Sequence, residues 1–294
     1  MRNGAEDLFV PRLAQRRRRG RYFAGLCLVL TLAGVVVLAI LFVSVTKIGG
    51  PRLSMRFLTH MPSRMTPEKS GILNALAGTT WLIGLTAAFT VPVGVAAAIY
   101  LHEYASKNRL TRFIELNIAN LAGVPSIVYG ILGLAIFTRY FALGRSVLAG
   151  ALTLSLLILP VVIIASREAL AAVPNSLRLG AFALGATRWQ TIRSHVLPAA
   201  IPGVATGIIL ALSRAIGEAA PLIMLGALMY VPFVPHGPKD VFTAMPIQIY
   251  NWCDEPQAVY RELAAAAIIV LLGMLLPMNA VAIGIRAWHQ RGKA

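Results

Sequence analysis

The 294 residues carry 57% hydrophobic and only 13% charged side chains, with a mean hydropathy of +0.73, against roughly 25% charged for a soluble globular domain. A net charge of +16 invites a nucleic-acid reading, but no basic face interleaved with aromatic readers is present, so no nucleic acid is expected and the charge is read as topogenic and directed at membrane lipids. Five histidines without ligand spacing and two distant cysteines, Cys27 and Cys253, leave no catalytic residue, no metal site and no disulfide framework to expect.

A hydrocarbon core of about 30 Å needs about 20 mostly apolar residues per helix, and the segments 22–46, 72–101, 114–138, 146–166, 201–228 and 263–286 qualify. The sequence therefore predicts an all-α integral membrane protein with six transmembrane helices and both termini on one side. Of the 27 Lys and Arg residues, 17 fall on the side of the termini, nine on the other and Arg214 inside a span. By the positive-inside rule the termini are cytoplasmic and the chain is a multi-pass protein of the cytoplasmic (inner) membrane.

Residues 1–21, with Arg2, Arg12, Arg16 to Arg19 and Arg21, form a cytoplasmic basic tail. The first span, 22–46, exceeds the ~7–15 apolar residues of a signal sequence and no small-x-small site follows, so it stays as a helix. In the outer loop 47–71, Gly49, Gly50, Pro51, Pro62 and Pro67 forbid a continuous helix, and Lys47, Arg52, Arg56, Arg64 and Lys69 are the exception to the charge bias. A five-helix core follows at 72–286, with the tail 287–294 behind it. Prolines at Pro92, Pro125, Pro160, Pro221 and Pro277 predict kinked spans. The small residues of the second and fifth spans, Gly78, Gly84 and Gly94 with Gly203, Gly207 and Ala211, predict close helix packing.

The longest cytoplasmic connection, 167–200, has the grammar of two short amphipathic helices. Ser176 is the expected N-cap of the first, Gly185 its stop, and Thr187 starts a second that runs to Pro198. Such a pair is a socket for a soluble partner. In the span 201–228, Arg214, Gly217, Glu218 and Pro221 share one helical face, with a kink expected at Gly217 and Pro221. An ion pair at that depth costs roughly 2.5–3.5 kcal/mol per charge on insertion scales, so it faces protein or a water-filled path. Two readings stand: a salt bridge that lets helices pack, or a substrate-translocation pair in which Arg214 offers forked donors to an anion and Glu218 tempers the affinity. The outer connection 229–261, with Pro232, Pro235, Pro238, Pro246 and Pro256 and the aromatic residues Tyr230, Phe233, Phe242, Tyr250 and Trp252 among its members, reads as an ordered segment, either a docking surface or a lid.

The stretch Leu179-Gly180-Ala181-x-x-x-Gly185, followed by Leu197-Pro198, resembles the EAA loop that ABC-importer permeases insert into their ATPase subunit. Leu179 replaces the motif's glutamate, Gly180 its first alanine and His195 its isoleucine. Glu168-Ala169-Leu170 is a decoy eleven residues too early. The stretches 71–79, 122–130, 184–189, 214–221 and 243–252 together resemble the A-type permease (PstA family) of the phosphate-specific ABC importer. That resemblance implies a type I ABC-importer permease (MetI-like) fold. It implies ATPase coupling through Arg178, Leu179, Gly180, Ala181, Gly185, Arg188, Leu197 and Pro198, with Arg178, Arg188 and Arg193 at the rim of the contact. The implied partners are a homologous second permease (C-type), two ATPase subunits that bind ATP and Mg, a phosphate-binding protein outside the membrane and inorganic phosphate. The chain has no Gly-rich loop ending in Gly-Lys-Ser/Thr, so it is expected to hold no cofactor and hydrolyse no ATP itself. Molybdate or sulfate is the alternative substrate. An ion-coupled secondary transporter usually needs more spans and has no use for a helical socket.

Overall fold

The computed structural model describes residues 13–106, 108–227 and 230–291. Arg2, Arg12, Lys107, Met229 and Lys293, which enter the charge and loop readings, lie outside the described residues. Among the described residues all regular structure is helical, apart from an isolated bridge between Ser146 and Val241.

α1 (Leu13–Gly49) is a 37-residue helix, longer at both ends than the expected 22–46 and taking in Arg16 to Arg19 and Arg21 at its start. It is exposed along almost its whole length and is fastened near its end, where Gly49 packs on Ala265 and Ala266 and Arg52 pairs with Glu262 at 2.7 Å. After α2 (Met55–Thr59), α3 (Leu73–Ile99) crosses and loosens into a π turn at Tyr100–Tyr104.

The third span, 114–138, expected as one helix kinked at Pro125, is instead broken into two helices, α4 (Arg109–Ala122) and α5 (Ser126–Gly133), the latter extended by a π turn to Tyr140. They meet at a 99° bend. Pro125 lacks an N–H and disfavours helical backbone at the residue before it, which ends α4. The Tyr129 hydroxyl then donates to the Leu121 carbonyl at 2.9 Å, so a helix-end acceptor is satisfied across the corner.

α6 (Val147–Ala171) is the central helix. On one side it packs against α3, where the Thr86 hydroxyl donates to the Ala151 carbonyl and the Ser155 hydroxyl to the Thr86 carbonyl. On the other it meets α9 (Leu197–Ile216), where Gly203 and Gly207 are one turn apart. A β-carbon at either glycine would come within 2.8 Å or 2.6 Å of Ala169 or Ala165, so the missing side chains set the distance between backbones. Between them lie α7 (Asn175–Ala183) and α8 (Arg188–Thr191). The remaining helices are α10 (Ala220–Met224), α11 (Met245–Asp254) and α12 (Ala258–Arg291). Among the described residues five helices are long and apolar enough to cross a membrane, and the bent α4–α5 pair makes six if counted as one broken span.

The segment before and through α11 is ordered against one end of the bundle. Asn74 donates to the Val231 carbonyl at 2.6 Å, Val147 N–H to Asp240 and Leu148 N–H to Pro238, and Phe242 is fully buried against Gly150 and Leu82. The Met245 N–H is satisfied by the Thr79 hydroxyl at 2.9 Å. The described part of the connection, from Tyr230 on, is thus held against the chain's own helices, which leaves both readings of it, lid and docking surface, open. Trp252 is buried against Phe57, with ring centroids 6.2 Å apart.

Candidate functional site

At the α7 end, the chain leaves α6 and turns into α7 at Pro174, one residue before Asn175, so Ser176 lies inside the helix and is not its cap. Gly185 has φ +80°, a left-handed conformation that closes the turn between α7 and α8. Thr187 caps α8 as expected: its side chain accepts from the Gln190 N–H while the Gln190 side chain accepts from the Thr187 N–H. The second helix does not stop at Pro198. It passes through a π turn at Ile192–Val196 straight into α9, giving one continuous path Arg188–Ile216. Pro198 cannot donate an N–H to the preceding turn, and the wider turn ahead of it, in which Leu197 N–H reaches the Ile192 carbonyl, absorbs that gap.

The sequence-predicted coupling residues divide. Leu179, Gly180, Gly185, Arg188 and Pro198 are exposed, Ala181 is buried under α7, and Leu197 is partly covered. Leu177, Phe182, Leu184 and Trp189 join Leu179 in an apolar surface with Leu184 89% exposed. Arg193 is exposed as expected for a rim position, but Arg178 is not at a rim. Its side chain, 13% exposed, is turned inward and pairs with Glu103 at 2.7 Å. The same guanidinium donates to the carbonyls of Leu170 and Val173 at 3.0 and 2.9 Å. Arg188 stacks over the next residue, its guanidinium carbon 5.6 Å from the Tyr104 ring centroid. Glu103 and Tyr104 were missed in the sequence because they pair with residues 75 or more positions away. The available signal was a carboxylate at a span end inside a basic surround, which needs a partner.

At the other end of α9, Arg214 and Glu218 do contact, Nε to Oε1 at 3.4 Å, but not within one kinked helix. α9 ends at Ile216, residues 217–219 are irregular, and α10 starts at Ala220 with Pro221 in its first turn. The expected kink at Gly217 and Pro221 is therefore a break. Pro221 is accommodated because a helix's first N–H groups have no intrahelical acceptor, and its backbone is packed closely against Gly130 of α5. Arg214 is 57% exposed and turned away from the chain's own core, while Glu218 is 20% exposed. Ser213, its neighbour, faces inward and donates to Asn279 of α12 at 2.8 Å. Arg214 sits in the last turn of α9, where the negative end of the helix dipole and Glu218 both offset its charge. The result is an open forked cation of moderated strength.

Residues 90–293 match the family model described as "Binding-protein-dependent transport system inner membrane component". The chain belongs to that family. It is 32% identical over 252 residues to "Probable ABC transporter permease protein YqgI" of Bacillus subtilis strain 168, covering 83% of this chain and 84% of the relative. It is 34% identical over 290 residues to "Phosphate transport system permease protein PstA" of Yersinia pestis, covering 96% and 95%. A MetNI methionine ABC transporter structure is similar with a TM-score of 0.59 at 18% identity, over 74% of this chain and 96% of that one. The fold is the MetI-like one expected. Membership makes this chain a multi-pass inner-membrane component of a transport system.

Proposed function

We propose that the chain is the A-type permease of an ATP-driven importer that carries inorganic phosphate across the inner membrane by alternating access. The observation that carries this reading is Arg214, an exposed forked cation at the break between the membrane-length path Arg188–Ile216 and the short helix α10, in a chain whose relatives include phosphate transport permeases. A guanidinium presents paired N–H donors that match phosphate oxygens, and the nearby Glu218 and helix end keep the binding weak enough for release.

The exposed apolar surface of α7 and α8 is the socket for one of two ATPase subunits, which bind ATP and Mg. Leu179, standing where the motif has glutamate, makes that contact apolar. A homologous C-type permease completes the path opposite Arg214, and a phosphate-binding protein delivers the anion from outside. Closure of the ATPase dimer on nucleotide pulls the loop and opens the path outward; hydrolysis returns it. The test is uptake by proteoliposomes containing the assembled transporter and its binding protein. ATP-dependent accumulation of phosphate, insensitive to proton and sodium gradients, is expected; uptake of molybdate or sulfate in its place would reassign the substrate.

In the same reading the α7 end and both termini are cytoplasmic and α11 is outside. Cys253 on α11 is an exposed free thiol, so an impermeant maleimide is expected to label it in spheroplasts without lysis. Labelling only after lysis would invert the orientation.

A further inference from the structure

The ion pair between Arg178 and Glu103 does more than close a surface. Nε of Arg178 lies 3.2 and 3.4 Å from the two Glu103 oxygens and one terminal nitrogen 2.7 Å from Oε1, while the remaining bonds reach Leu170 and Val173. A guanidinium has five N–H donors in a rigid fork, and here its three nitrogens make five donor contacts that tie α7 to two other parts of the chain. These are the π turn that ends α3, through Glu103, and the C-terminal end of α6 with the residues just after it, through the Leu170 and Val173 carbonyls. The carboxylate is only 10% exposed, with His102 Nε2 at 3.8 Å its other neighbour. Ala98, Leu101, Leu170, Val173 and Val196 pack into one buried cluster at this end of the bundle. Low local polarity strengthens such a pair and penalises opening it. α7 is thus tied by side-chain bonds to the end of α3, with which it has no covalent continuity, and to the end of α6.

We propose that Arg178 and Glu103 are positioning residues that form a pin, transmitting displacement of the α7–α8 loop to the α3–α6 pair so that ATP hydrolysis and transport stay matched. The inference rests on the reading of the loop as the ATPase socket. Two attachments of the loop are covalent, through residues 172–174 back to α6 and through α8 into α9; the pin is a third, and it ties the loop to the π turn that ends α3, on the face of α6 opposite α9. If the pin opens, nucleotide-driven movement of the loop swings α9 without carrying α3 along, and hydrolysis is spent without completing the change of access.

A control lies at the same end of the molecule. Arg167 and Glu115 form a 2.7 Å pair that joins α6 to α4 and touches neither α7 nor α8. The experiment uses the complete transporter in proteoliposomes and reads ATP hydrolysed per anion taken up, with ATPase co-purification as the measure of assembly. Glu103→Gln is expected to raise ATP consumed per anion about fivefold, within the range of ordinary coupling between sites, while the ATPase subunits still co-purify. Arg178→Lys, which keeps the charge and loses the fork, should move the ratio in the same direction, and the double variant should be no worse than the more affected single one because the two act as a unit. Glu115→Gln should leave the ratio unchanged. The proposal is overturned if Glu103→Gln assembles with an unchanged ratio, if hydrolysis and uptake fall in proportion, or if Glu115→Gln raises the ratio equally. It is also overturned if neither Glu103→Gln nor Arg178→Lys assembles, since the pair is then scaffolding alone. A wrong substrate assignment would show separately, in the unmodified transporter, as uptake of another anion.

Discussion

Replacing Arg214 with glutamine is expected to cut phosphate uptake by tenfold or more while leaving a correctly assembled complex. Hydrogen bonds to a charged group are worth about 1.5–3 kcal/mol, and about 1.4 kcal/mol is a factor of ten in affinity, so loss of the fork and its charge removes most of a transient anion site. The exposure of Arg214 is what separates this outcome from a folding defect. Its side chain contributes little to the packing of its own chain, whereas Ser213 beside it is buried and bonded to Asn279. Arg214→Lys should fall between, keeping a point charge without paired donors. Glu218→Gln should tighten retention of the anion and slow its release, altering uptake without unfolding the complex. Radiolabelled phosphate uptake, normalised to ATPase subunit recovered with the permease, measures all three. Normal uptake by an assembled Arg214→Gln transporter would reduce the pair to a helix-end salt bridge.

The second large effect is expected at the turn between α7 and α8. Gly185 holds φ +80°, and a β-carbon there would meet no atom within 4 Å. Any penalty on substitution is therefore backbone strain and not a clash. Left-handed backbone costs an ordinary residue about 1–2 kcal/mol and a β-branched one is a true outlier there. Gly185→Val should reshape the turn, misplace the Leu184 and Trp189 side chains on the docking surface, and lower both ATPase co-purification and transport, with membrane insertion preserved. Gly185→Asn, a residue that tolerates this region, should retain most of both. Equal activity of the valine and asparagine variants would remove the turn from the coupling role.

The turn was legible because its determinants are local, a glycine stop and a threonine start two residues on, to which the structure adds Gln190 as the partner of the Thr187 cap. The spans were legible for the same reason, since hydropathy averages over neighbours in sequence. What failed was whatever depended on direction or distance. Hydropathy is blind to the 99° corner at Pro125 because both arms remain apolar enough to pass as one stretch. Pro198 reads locally as a stop, yet the π turn before it carries the helix through. Arg178 reads as one more surface cation on a basic loop. Its burial depends on a carboxylate 75 residues away that only the packing of α3 against α6 brings within reach.

The passage of α8 through the π turn into α9 has a consequence for register. Each residue of an α-helix advances the side chains by about 100° around the axis, and a π turn accommodates its extra residue by widening instead of ending the helix. Removing one residue between Leu197 and Arg214, beyond the π turn, would leave the composition of the path nearly unchanged. It would nonetheless rotate Arg214 by about a quarter turn relative to the docking surface of α8. The phase between the two ends of the path Arg188–Ile216 is thus part of the design, set by how many residues lie between them and not only by which ones.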